Sequence, residues 1–130
     1  MKKIVCVALV LLMVLFIGYN RVWLGFDMSG WVVYDRYGIS FEMDLSGEEV
    51  MAVKEVLNGK MIDPSFMSTP ACGFDYDVAI IINGRRFGLA LDGCGTVQYF
   101  GSLGYIHISA EEQDVLEEIF TARGGKFPCI

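Results

Sequence analysis

The 130-residue chain has 10 Lys and Arg against 16 Asp and Glu, a formal net charge of −6 at pH 7, and is 54% hydrophobic. The acidic balance argues against a nucleic-acid binder, because phosphate recognition needs clustered Lys and Arg. A mean hydropathy of +0.46 is too high for a disordered protein, and at this length one folded domain is expected.

Lys2 and Lys3 precede fourteen positions, 4–17, without a polar side chain, which is the order of a targeting segment rather than of a core helix. Signal cleavage wants small residues at −3 and −1, yet cuts after Gly18, Gly25 or Gly30 would leave Phe16, Trp23 or Met28 at −3. A retained helix from Ile4 to about Leu24, with Tyr19 and Trp23 at headgroup depth and Arg21 snorkelling, reaches the roughly 20 residues a bilayer needs. The expectation is an uncleaved membrane anchor over residues 1–26 with a cytoplasmic N-terminus and residues 27–130 outside. The alternative is a cleaved signal peptide and a secreted domain. The outer part holds 7 basic and 16 acidic residues, a net −9, which favours basic or neutral partners over anionic headgroups.

Within the outer part, residues 31–34 suggest a short strand. Ile39, Phe41 and Met43 alternate with Ser40, Glu42 and Asp44, the period-two pattern of a half-buried strand. Ser46 and Glu49 then form an S-x-x-E capping box, Val50, Val53, Val56 and Leu57 recur at helical spacing, and Asn58-Gly59 supplies a stop. Residues 60–71 read as a loop.

Asn83-Gly84 between two apolar runs is the signal of a type I′ hairpin. Its register opposes positions that sum to 167, which puts Tyr76 with Leu91, Val78 with Leu89 and Ile80 with Phe87 on one apolar face. A second hairpin is expected between 96–100 and 105–109, with 100 opposite 105. That register buries Val97, Tyr99, Ile106 and Ile108 and leaves Gln98, His107 and Ser109 on the other face. A last helix starts at a second capping box, Ser109 with Glu112, shows an apolar stripe of Val115, Leu116, Ile119 and Phe120, and ends at Gly124-Gly125. The order β-α-β-β-β-β-α indicates an α+β domain, an antiparallel sheet with two helices packed on it.

Cys72, Cys94 and Cys129 lie in the outer part with no C-x-x-C pair, as in an oxidising compartment. Cys72 and Cys94 flank the open end of the first hairpin and are the expected disulfide, with Cys129 left over. The rival pairings join Cys129 to one or the other.

Candidates for chemistry are few. The 167 register brings Asp75 opposite Asp92 with Asp77 beside them, an acidic cluster that a Ca²⁺ ion could offset. Its alternative is a frayed ladder with three solvated carboxylates. Cys94 and His107 are the one possible thiol-imidazole pair, although a disulfide and a solvated strand histidine explain them more simply. Gln98, Phe100, Tyr105 and His107 form a mixed aromatic and polar face suited to a ligand, or else a sheet face covered by a loop. The functional expectation is a membrane-tethered or secreted extracytoplasmic domain that binds a protein or small ligand without catalysis. Alternatives are a small cell-envelope enzyme using Asp75, Asp77 and Asp92 or Cys94, and a structural subunit of a membrane complex.

Overall fold

Two hairpins and two capped helices fix most of the chain from residue 30 onward. The computed structural model describes residues 1–26, 28–64, 73–100 and 104–129, with the backbone alone for 17–19. After helix α1 (Lys2–Tyr19), the described elements run β1 (Gly30–Arg36), β2 (Ile39–Asp44), α2 (Gly47–Leu57), β3 (Asp63–Pro64), β4 (Val78–Ile82), β5 (Arg85–Leu89), β6 (Thr96–Tyr99), β7 (Gly104–His107) and α3 (Ala110–Thr121). The strands form one antiparallel sheet in the order β2-β1-β4-β5-β6-β7-β3.

The α+β expectation holds, with more strands than expected. β1 runs the full span from Gly30 to Arg36 and turns into β2 through Tyr37-Gly38, both at positive φ. A tyrosine in that conformation is uncommon, so the turn carries no sequence signal comparable to Asn-Gly. β3 is a two-residue strand inside the segment expected to be a loop, paired with β7 through Asp63 and Tyr105.

The Asn83-Gly84 hairpin has the expected register, from Ala79 opposite Gly88 to Ile82 opposite Arg85, with φ of 52° and 72° at the turn. In the second hairpin Tyr99 faces Gly104 and Thr96 faces His107, two residues tighter than expected. A shift of two preserves the faces, so Val97 and Ile106 are still buried.

The sheet residues of the main core share one parity: Val32, Tyr34, Val78, Ile80, Ile82, Phe87, Leu89, Val97 and Ile106. Against them pack Val50, Val53, Val56 and Leu57 of α2 and Leu116, Ile119 and Phe120 of α3. Both capping boxes form as expected. Val115 is the exception in the α3 stripe at 39% exposure. The buried stripe runs through Gln113 instead, whose side chain bonds Glu117 at 2.8 Å and closes on Gly93. A polar residue in a buried row is invisible to an apolar pattern.

The N-terminal expectation needs correction. α1 stops at Tyr19 rather than near Leu24, and among the described residues no helix is long and apolar enough to cross a membrane. Residues 20–24 belong to the domain's packing: Ile62 N–H donates to Asn20 O (2.7 Å), Val22 N–H to Lys60 O (2.9 Å) and Gly59 N–H to Val22 O (2.8 Å). Arg21, expected to snorkel, donates to the Gly59 carbonyl. Val22 and Leu24 are fully buried core residues, and each contributes about 2 kcal/mol of hydrophobic stabilisation.

Candidate functional site

The sheet face turned away from α2 and α3 carries the expected ligand-face residues. Gln98 lies between Gly88 on β5 and Tyr105 on β7. Phe100 leaves the strand, donates its N–H to Arg86 O (3.1 Å), and lays its ring over Gly88, where a Cβ would come within 2.6 Å of it. The structure therefore brings Gln98, Phe100 and Tyr105 together, but it also roofs them. Tyr76 meets Phe100 edge-on at 5.3 Å, Arg86 stacks over Tyr76 at 3.8 Å, and Phe74 packs on Tyr105 at 5.5 Å. Tyr105 is buried, Gln98 and Phe100 are half-buried, and only His107 is exposed. Its Nε2 lies 3.0 Å from Asp63 Oδ2 on β3.

Tyr76 was expected in the core row opposite Leu91, and it is instead 59% exposed. The cause is a turn: Asp77 N–H donates to Asp75 Oδ1 (2.9 Å) and Val78 N–H to Asp75 O (3.1 Å), which ends the ladder. Leu91 N–H then pairs with Gly73 O at 2.9 Å, out of the 167 register. Asp75 does not face Asp92. Its carboxylate takes Arg36 Nη1 at 3.1 Å, and among the described residues no group of three or more His, Cys, Asp or Glu is placed to hold a metal ion. The acidic cluster on Asp75, Asp77 and Asp92 is thereby dissolved into a turn and an ion pair.

Comparison with known proteins returns no match, whether to a family model, a curated protein or a solved structure.

Cys6 and Cys129 are free thiols, and Cys94 is disulfide-bonded. Cys72 lies outside the described residues, so the pairing expected for it does too, and no disulfide has both its cysteines among those described. Cys94 and His107 do not form a thiol-imidazole pair, since one is oxidised and the other faces Asp63. Cys129 is fully buried, its N–H donating to Leu91 O (2.8 Å) and its carbonyl accepting from Arg36 Nε (3.0 Å) and Nη2 (2.8 Å). Burial is the main cause that pushes its thiol pKa up.

A second surface escaped the sequence reading. α2 and α3 lie antiparallel, with a valley between them. Its floor is built from Ala52, Val56, Val115, Ile119 and Ala122, and Glu48 and Glu55 on one side and Glu111 and Glu118 on the other form its rims. The available signal was Ala52 and Val115 at the flank of each buried stripe, with glutamates one turn either side.

Proposed function

We propose that this protein is a small extracytoplasmic α+β domain held at a membrane by α1, which acts by binding a partner rather than by catalysis. One observation carries the reading: every described side chain of α1 from Lys2 to Phe16 is exposed, including Leu9, Leu12, Leu15 and Phe16. A helix apolar on all sides is stable in hydrocarbon or among other apolar helices, not in water. Its apolar run of fourteen residues spans about 21 Å at 1.5 Å per residue, short of a hydrocarbon core of about 30 Å. A tether of this length would call for local thinning of the bilayer and snorkelling of Lys2 and Lys3. Trp23, Phe26 and Met28 follow α1 closely and are exposed, as suits residues at the headgroup level.

The groups closest to chemistry have other employment, which supports a non-catalytic role. Asp75 is paired with Arg36 and Cys94 is oxidised. Alkaline carbonate extraction tests the tether: the full chain should stay with the membrane pellet, and protease added to spheroplasts should remove the domain. Release of the chain into the carbonate supernatant would overturn it.

The secreted alternative keeps one specific footing, the fourteen-residue apolar run, which fits the length of a signal-peptide core. Cuts after Gly25 or Gly30 would strip Val22 and Leu24 from the core, so on that reading the mature N-terminus falls before Asn20. N-terminal sequencing distinguishes the two.

A further inference from the structure

We infer that the valley between α2 and α3 is the docking groove for a helix of a partner protein, one with a narrow apolar stripe flanked on both sides by Lys or Arg. The inference rests on the domain being a binding module and adds the class of partner. Two adjoining hollows of about 250 and 470 Å³ share Ala52 and Val115 and so form one continuous groove. It follows α2 from Glu48 to Glu55, which at 1.5 Å per residue gives about 10 Å, enough for two turns of a guest helix. Ala52 and Ala122 in the floor let a helix backbone approach closely, and Val115, left 39% exposed, is the apolar ridge it would cover.

Charge selects the guest. Arg123 is committed to Glu49 and Lys60 to Glu112, closing the two ends of the helix pair. Lys54 points away to the Gly25 carbonyl. Glu48, Glu55, Glu111 and Glu118 form no ion pair among the described residues, so both rims of an apolar groove carry uncompensated negative charge. A guest with cations on both flanks answers both rims at once, in the helix-in-groove mode of peptide recognition. Anionic lipid is repelled, and a second copy would set glutamate against glutamate.

The test uses the full chain in nanodiscs of zwitterionic lipid. The probe is a helix-forming synthetic peptide of Ala, Leu and Lys, its Ala/Leu stripe flanked by lysines. Two controls are the same peptide with Glu for Lys and an oligolysine of equal charge. Empty nanodiscs give the lipid background. Calorimetry should show saturable 1:1 binding of the amphipathic peptide at least tenfold tighter than oligolysine, with no binding of the Glu peptide, and hydrogen exchange should slow in α2 and α3. Val115→Glu should weaken it at least tenfold by placing a charge on the floor, and Glu55→Gln with Glu118→Gln should weaken it several-fold and flatten the salt dependence. Equal binding of oligolysine, or an unchanged affinity in Val115→Glu protein that retains its melting temperature, would overturn the groove. A chain that sediments as a dimer which Val115→Glu dissociates would overturn it in favour of a second copy. Carbonate extraction of the same variants reads the tether separately, so loss of peptide binding with full membrane retention counts against the groove alone.

Discussion

Arg123, just past the end of α3, grips Glu49 in the first turn of α2 by donating from Nη1 and Nη2 to the two carboxylate oxygens, at 2.6 and 2.7 Å. Glu49 is already the capping-box glutamate of α2, accepting from Ser46 N–H. The same arrangement recurs at the other end, where Lys60 holds Glu112, the capping-box glutamate of α3. Each helix start is thus fastened by a cation from just beyond the other helix's end, and the pair is clamped at both ends.

The clamp has a pH signature. The Arg123 hydrogen bonds hold the Glu49 carboxyl well below the usual range, at about 2. A depressed carboxyl pKa stabilises the fold above the unfolded value, and that stabilisation is lost as pH falls from about 4.5 towards 2. Glu49→Gln should cost about 2 kcal/mol at pH 7, as for hydrogen bonds to charged groups. The gap to the parent chain should close in urea melts taken at progressively lower pH. A constant gap between pH 7 and 2.5 would show that the ion pair contributes nothing.

His107→Gln should leave stability within about 0.5 kcal/mol, as for an exposed position. Its pairing with Asp63 is between solvent-exposed side chains, where such pairs are worth little. Thermal melts at pH 5.5 and 8 check this, and a loss of several kcal/mol would place the histidine in a buried role.

Two glycines are expected to respond in opposite directions to alanine. At Gly30 a Cβ would stand 2.8 Å from the Ile81 carbonyl oxygen, with Leu45 and Ile82 behind it. Backbone cannot yield there, so Gly30→Ala should destabilise by about 1–3 kcal/mol. At Gly47, the first residue of α2, nothing lies within 4 Å, and Gly47→Ala should stabilise by about 0.5 kcal/mol through the unfolded chain. Denaturant midpoints of the two variants decide it.

Truncation separates α1 from the domain. A chain starting at Asn20 should keep a cooperative melt. One starting at Gly25 loses Val22 and Leu24, together worth about 4 kcal/mol out of a typical total of about 5–15 kcal/mol. Its urea midpoint, read by circular dichroism, should fall by about a quarter or more of the Asn20 chain's value.

The thiols give a chemical check. Cys129, fully buried with its pKa raised, should resist iodoacetamide at pH 8 until denaturant is added, because the thiolate is the nucleophile. Non-reducing peptide maps should link Cys94 to Cys72. A linked peptide containing Cys129 would sink that assignment.

The elements legible in the sequence are those fixed by short-range rules. Ser46 and Ser109 cap because a hydroxyl three residues before a glutamate satisfies orphan helix N–H groups. Asn83-Gly84 sets the register of β4 and β5 because both positions need positive φ. The inward rows of β6 and β7 survived a two-residue register error because side chains alternate with period two. What only the tertiary structure decided joins residues far apart in the chain: β1 beside β4, Val22 and Leu24 in a core expected to begin after them, and Arg36 holding both Asp75 and the Cys129 carbonyl. The acidic cluster failed for the same reason. A hairpin register can place Asp75 opposite Asp92 on paper, but a local turn at 75–78 and an arginine 39 positions earlier compete for that carboxylate, and like charges facing across a ladder lose to a turn hydrogen bond and an opposite charge.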